Sequence, residues 1–455
     1  MSRFFFLPAC GFFLLNALVA RAATAPASPR VEVVSPFERL ETLPNGLRFV
    51  SKVDREAPRV ALSLQVRVGA SDESAQNAGW RRLFAGAVSR GVPVAFNGKM
   101  PTDDGLGLTR LAEQAGGDAG ISVTDDVIEF WAVGDSERAP QLLELLIGMW
   151  QSSRLSDDDI AKSRTRLAEQ LDAQDLDIAA QTSAALRSQE FVGERGEALS
   201  YGLSEIGTTT SLGLLTNERV RELAKRVANS PATLTAVGDV DAASLRARLS
   251  RLNAPTIVPA PAPKFRAIKS GKPALVTRDL PVQTAWVFLS YSLGHVKAED
   301  APLLRLLSAA LSDIPEARLP KRLLGARGAN APQAVSLSSQ FVQRRDGSEL
   351  LITAQTSPSR VQAVTKAILD EMRRLRDAPL SPQEFAAARD FSRGDWALAR
   401  QSLRERAFLV GQTPNTTGAP DGLWPRVLET ATPQKAQAVA RRLLHSYAAA
   451  FVVPK

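Results

Sequence analysis

Residues able to do chemistry are scarce in this chain of 455. It has two histidines, His295 and His445, and one cysteine, Cys10. The histidines are far apart in sequence, which all but excludes a histidine-rich zinc centre. His295 follows Ser290-Tyr291-Ser292-Leu293-Gly294, the end of a predicted strand, and reads as a turn residue. His445 closes a predicted helix, where the dipole favours it. Asp157-Asp158-Asp159 could hint at a cation site. At a helix start, however, three acids are explained by capping and the dipole. No G-x-S-x-G elbow supports a serine triad, and no P-loop or dinucleotide fingerprint is present.

The elements that must position these residues follow from patterning. Residues 1–22 combine Arg3, an apolar run ending at Val19 and Ala20-Arg21-Ala22, the layout of a cleavable secretory signal. Cleavage would remove Cys10 and bring the formal charge from +8 to +6, with 54 basic against 48 acidic residues. That dispersed excess gives nucleic-acid binding little support, and a periplasmic location is expected. Residues 23–30 read as a flexible lead-in.

Strand patterns cover Val31–Val34, Leu47–Val50, Val60–Val68, Val127–Val133 and Pro231–Asp239, with Asn45-Gly46 as a hairpin turn. Helical patterns cover Ala78–Val88, Gly107–Ala115, Ala139–Trp150 and Asp159 to about Gln174. A Pro/Ala-rich linker at 253–270 carries Pro255, Pro259, Pro261 and Pro263. Beyond it the order recurs, from the strand Trp286–Leu293 to a closing strand Ala448–Val453. Two α+β domains are predicted, 31–252 and 271–455, each a sheet with helices on one face. The composition, 44% hydrophobic and 23% charged, supplies enough apolar chain for two cores.

With those segments in order, the chain resembles the insulinase/pitrilysin-type zinc metallopeptidases, a family that includes the mitochondrial processing peptidases. Thr42-Leu43-Pro44-Asn45-Gly46-Leu47-Arg48 is similar to the family's opening hairpin. Val66-Arg67-Val68-Gly69-Ala70-Ser71-Asp72-Glu73 resembles the strand and loop before its metal helix. Gly116-Gly117-Asp118-Ala119, Thr124-Asp125-Asp126, Tyr201-Gly202, Val237-Gly238-Asp239-Val240 and Arg278-Asp279-Leu280-Pro281 match later segments. The resemblance implies two homologous α+β domains, and two such chains commonly closed around a peptide chamber.

It also locates what is missing. The family's inverted His-x-x-Glu-His motif corresponds to Arg82-Leu83-Phe84-Ala85-Gly86. Arg82 and Gly86 stand at the histidine positions and Ala85 at the general-base glutamate, while Ser163 falls at the third ligand. Zinc hydrolysis needs three ligands and a carboxylate to take the water's proton. An arginine, a glycine, a serine and an alanine supply none of these, so no metal, no cofactor and no catalytic residue is expected. The family's substrate-holding arginine and tyrosine fall on Leu324 and Ala331, with Arg322 or Arg327 as substitutes. The resemblance therefore implies a pseudo-peptidase that completes the chamber of an active zinc-containing homologue as a heterodimer, with a homodimer as fallback. A stand-alone peptide-binding protein, or an atypical peptidase, is the alternative.

Overall fold

The computed structural model describes residues 31–35, 38–91, 107–151, 155–268, 274–280, 282–324 and 333–455. The segment read as a secretory signal, Arg327 and Ala331 lie outside the described residues. Strand β1 (Val31–Ser35) pairs with β2 (Glu38–Thr42), which turns into β3 (Arg48–Val53) at Asn45-Gly46. Gly46 takes φ +81°, a value that favours glycine. Asn45 Nδ2 donates to the carbonyls of Leu249 and Leu252 at 2.8 and 3.0 Å, tying this hairpin to the end of the first lobe.

That lobe continues with β4 (Arg59–Val66), α1 (Trp80–Arg90), α2 (Gly107–Gln114), β5 (Gly117–Val123), β6 (Ile128–Asp135), α3 (Ala139–Gln151) and α4 (Asp157–Gln174). Then come α5 (Ile178–Glu190), α6 (Thr209–Leu214), α7 (Asn217–Ala228), β7 (Ala232–Gly238) and α8 (Ala242–Leu249). The second lobe opens with β8 (Ala274–Leu280), β9 (Ala285–Gly294), α9 (Ala301–Ser312), α10 (Arg318–Leu323), β10 (Ala334–Val342) and β11 (Ser348–Thr356). It ends with α11 (Val361–Asp377), α12 (Pro382–Leu398), α13 (Leu403–Thr417), α14 (Leu423–Glu429), α15 (Pro433–Leu443) and β12 (Tyr447–Pro454).

The first sheet runs β1-β2-β3-β7-β4-β6-β5 and the second β10-β11-β9-β12-β8. Pairing is antiparallel except for β3 with β7 and β8 with β12. The α+β class and the two-lobe repeat expected from sequence are therefore observed. Residues 253–268 join the lobes without helix or strand. Thr256 N and Ile257 N donate to Asn229 O, and Arg266 N donates to Val192 O, holding this segment to the first lobe.

Each core lies between one face of a sheet and its own lobe's helices. In the first, Val60, Leu62, Leu64 and Val66 meet Trp80, Leu83 and Phe84 of α1 and Leu142 and Leu146 of α3. In the second, Val287, Leu289 and Tyr291 meet Leu304, Leu307 and Leu311 of α9 and Ile368 and Met372 of α11. Each such leucine contributes about 1.5–3 kcal/mol by leaving water.

The opposite face of each sheet receives a helix from the other lobe. On β4, alternation places Ala61, Ser63 and Gln65 there, and these are also fully buried. They lie under α13: Gln65 Nε2 donates to Phe408 O at 2.7 Å and Asn415 Nδ2 donates to Gln65 Oε1 at 2.9 Å. Thr233 Oγ1 donates to Asn415 Oδ1 at 2.7 Å. Gly411 lets the helix sit close, since a Cβ there would collide with Thr235 Oγ1. Reciprocally, α5 lays Leu186 against Phe288, Ala448, Ala450 and Val452 of the second sheet.

Glu129 of β6 is buried at the first of these interfaces. Ser63 Oγ donates to it at 2.6 Å and Arg404 of α13 pairs with it at 2.6 Å. Burial pushes its carboxyl up to about 7 against the pull of Arg404. A carboxyl raised above its unfolded value of 4.5 holds its proton in the native state only, so its stabilising effect is complete below pH about 4.5 and is lost as pH rises to about 7. The expected loss is about 3 kcal/mol. Urea titrations of wild type and Glu129→Gln should agree near pH 4.5 and diverge by that amount at pH 8, the variant being more stable. Parallel pH profiles would refute this.

Candidate functional site

The four sequence-predicted positions converge where α1 crosses α4, and the crossing is filled by protein. Ser163 Oγ donates to Leu83 O at 2.9 Å and is buried. Gly86 faces it so closely that a Cβ would strike Ser163 Oγ. Ala85 is buried on the same helix. The positions that would hold a metal in the resembled family thus form a small-residue contact between helices, and these side chains do not fit zinc. Among the described residues, no three His, Cys, Asp or Glu side chains come together to hold a metal ion. Asp157–Asp159 begin α4, with Ser156 as its N-cap. Asp157 pairs with Arg221 and Asp158 with Lys162, both at 2.5 Å.

Arg82 turns away from that contact. Its Nη2 reaches Glu205 Oε2 at 3.0 Å, and the other Glu205 oxygen takes Arg187 Nη1 at 3.1 Å. Backbone geometry places Glu205 there. Gly79, the α1 N-cap at φ +86°, and Gly207 at φ +84° pack main chain against main chain, each without room for a Cβ. Ser211 Oγ donates to Ala78 O at 2.9 Å and fixes the same approach. The neighbouring Arg81 is fully buried, paired with Glu73 at 3.2 Å and donating to Thr124 O. Burial nevertheless raises the Glu73 carboxyl above its ordinary range.

Beside Arg82 the lobes meet through two equivalent hairpin turns, one acidic and one basic. Asp125 and Asp126 lie between β5 and β6; Arg344 and Arg345 lie between β10 and β11. Arg344 Nε pairs with Asp125, its Nη1 lies 2.8 Å from Glu349, and its guanidinium covers the Phe191 and Tyr201 rings. Asp126 accepts from Arg345 N at 2.8 Å and from Tyr201 OH at 2.7 Å. Asp346 N donates to Tyr201 OH at 3.2 Å, and Ser71 Oγ donates to Asp346 Oδ2 at 3.1 Å. Burial works against the Asp125 charge, but Arg344 outweighs it and holds the carboxyl below its usual range.

The network continues across the seam. Ser290 Oγ lies 2.6 Å from Glu190 and 2.8 Å from Glu349. A hydroxyl has one hydrogen to give, and Ser290 can therefore answer only one of the two carboxyls at a time. Burial, and then the Glu349 charge, raise the Glu190 carboxyl well above its usual value.

A cleft of about 290 Å³ opens between Arg82, Glu205, the acidic turn and Gln343 and Gln412 of the second lobe. Larger hollows of about 430 and 610 Å³ lie beside Asp239 and Gln333, and their walls include nothing from α1 or α4. Arg322 is held by Asp370, Glu371 and Ala367 O at 3.1, 2.9 and 3.2 Å, so its guanidinium is spent on α11. Leu324 is the C-cap of α10. His295 lies just past β9, its Nδ1 3.3 Å from Arg345 O. Sequence reasoning did not reach Glu205, Arg187, Gln343 or Gln412. The available signal was the opposite charge of two turns at matching places in the repeat.

Residues 215–391, from α7 into α12, match the family model described as Peptidase M16 inactive domain. An uncharacterized zinc protease of Mycobacterium tuberculosis is 22% identical over 442 residues, 94% of this chain and 95% of that one. A Helicobacter pylori protease superposes with TM-score 0.78 at 18% identity, covering 94% of this chain and all of the other. An M16 inactive-domain protein of Pseudomonas fluorescens gives 0.76 at 16% identity, over 92% and 98% of the two chains. The Escherichia coli periplasmic protease PqqL gives 0.75 at 17% identity, matching all of this chain but 49% of its own.

Two stability measurements test this geometry. Gly86→Ala should cost about 1–2 kcal/mol, because overpacking against Ser163 exceeds the helix gain of alanine. Adding Ser163→Ala should recover most of the loss; an additive cycle would contradict the interlock. Arg344→Met should lower stability by about 3–5 kcal/mol, since Asp125 and Glu349 would stay buried without their cation. A change under 1 kcal/mol would show the network to be dispensable.

Proposed function

Homologous to the insulinase/pitrilysin metallopeptidases and built on their fold, this chain is, we propose, the non-catalytic subunit of a two-chain zinc peptidase. The observation that carries the proposal is the state of the former metal site. Arg82 is salt-bridged to Glu205, Gly86 and Ser163 interlock, and Ala85 leaves no base, yet the two-lobe scaffold around them is intact. In this reading, zinc chemistry of the kind named in its relatives is supplied by another chain.

Three further features support this reading. PqqL carries about as much chain again beyond the part matched here, so the fold operates there with a further half. Leu176 and Leu398 are 85% and 63% exposed and occupy the same helix–helix junction in the two lobes. Their positions offer apolar surface to a partner, and a stable interface buries more than ~1,000 Å². The signal-like segment 1–22 fits a periplasmic setting like that of PqqL.

A tagged copy isolated from the native host should bring down a zinc-containing homologue in equal amount. The pair, and neither chain alone, should cleave peptides in a zinc-dependent way. A strictly monomeric chain, together with a homologue that works at full rate without it, would overturn the pairing. The stand-alone peptide-binding role would then take its place.

A further inference from the structure

The cleft beside Arg82 contains polar atoms that the fold leaves unanswered. Gln343, just past β10, is 3% exposed, and among the described residues neither its Oε1 nor its Nε2 has a hydrogen-bond partner. Gln412 of α13 is 1% exposed and its Oε1 is likewise unpartnered. The buried Nε of Arg82 also lacks an acceptor, although its Nη2 is committed to Glu205. All three side chains line the same cleft. A buried polar group without a partner costs about 1–3 kcal/mol, so two glutamines in this condition need a reason.

The inventory of unmet atoms is specific. The residues lining the cleft include two unmet donors, Gln343 Nε2 and Arg82 Nε, and two unmet acceptors, Gln343 Oε1 and Gln412 Oε1. A primary carboxamide carries two N–H donors and one carbonyl with two lone pairs, the complement of this set. A main-chain amide has one N–H and would leave an acceptor unmet. A carboxylate would offer no hydrogen to either glutamine oxygen and would face Glu205, Asp125 and Asp126. The volume, about 290 Å³, is at the small end for ligand pockets and suits one side chain.

We propose that the cleft between Arg82, Gln343 and Gln412 binds a primary carboxamide, the side chain of an asparagine or glutamine in a bound polypeptide. The inference rests on the subunit reading above, taking this chain to hold part of the peptide, and adds a side-chain preference to it. Sites built to hydrogen-bond a group reject analogues that lack it, because the site's own buried atoms are left unpaired.

The test uses the full chain and fluorescein-labelled alanine/serine heptapeptides ending in an N-methylamide, so that the terminus supplies no primary carboxamide. The central residue is Gln, Glu or Met, and anisotropy reads binding. The Gln peptide should bind at least tenfold tighter than the other two. Gln343→Met and Gln412→Met should each abolish the preference with unchanged or higher Tm, since each removes an unpaired buried group. Equal binding of the three peptides, or a lowered Tm in both variants, would overturn the carboxamide site and leave peptide binding standing. Propionamide, compared with N,N-dimethylpropionamide, separates the remaining cases. If no peptide binds but propionamide alone raises the Tm of wild type and not of Gln343→Met, the site takes a free amide and the peptide reading falls. If neither binds, both fall.

Discussion

Two turns of opposite charge hold this molecule together. Asp125 and Asp126 project from one lobe and Arg344 and Arg345 from the other; Asp125 is half-buried and the other three are buried. Charges in such a place are tolerated only when fully answered, because the desolvation of each ion costs several kcal/mol. The answer is distributed: Tyr201 and a main-chain N–H for Asp126, aromatic faces and Glu349 for Arg344. This contact sets Gln343 of the second lobe against α1 and Glu205 of the first, while α13, docked on the first sheet, brings Gln412 to the same cleft.

The crossing of α1 and α4 shows how close two helices come when the residues between them are small. Gly86 and Ser163 leave no room for a further carbon, and Arg82 is answered by Glu205 outside the contact. A larger side chain at position 86 would have to push the helices apart, so the crossing is specified by residue size.

Much of this was legible in the sequence, and the exceptions have a common cause. The Asn45-Gly46 hairpin, the β4 alternation, α1, α3, α4 and the repeat itself follow from local patterns that tertiary structure did not override. Positions 82, 85 and 86 share one five-residue window, whereas 163 lies on a separate helix that the fold brings against Gly86. The alternation of β4 also placed Ser63 and Gln65 away from the core, where pattern alone reads solvent. They lie instead under α13, whose own sequence, polar along much of its length, carries little apolar signal. Glu205 meets Arg82 across 123 residues of chain, and Gln343 and Gln412 reach the same cleft from separate elements of the second lobe. No short window contains both partners.

The exchange of α5 and α13 between lobes bears on how the chain is made. The first sheet is complete in sequence at Gly238, but the helix that covers Ser63, Gln65, Thr233 and Thr235 begins at Leu403. At ~5–20 residues per second the wait during synthesis is on the order of ten seconds or more. Through that interval a polar but unsatisfied sheet face stays open, and α5 has no sheet to cover. Neither lobe can mature before its neighbour exists, so the two are obliged to finish as one unit, and a chain cut at the linker would yield two unfinished halves in place of two domains.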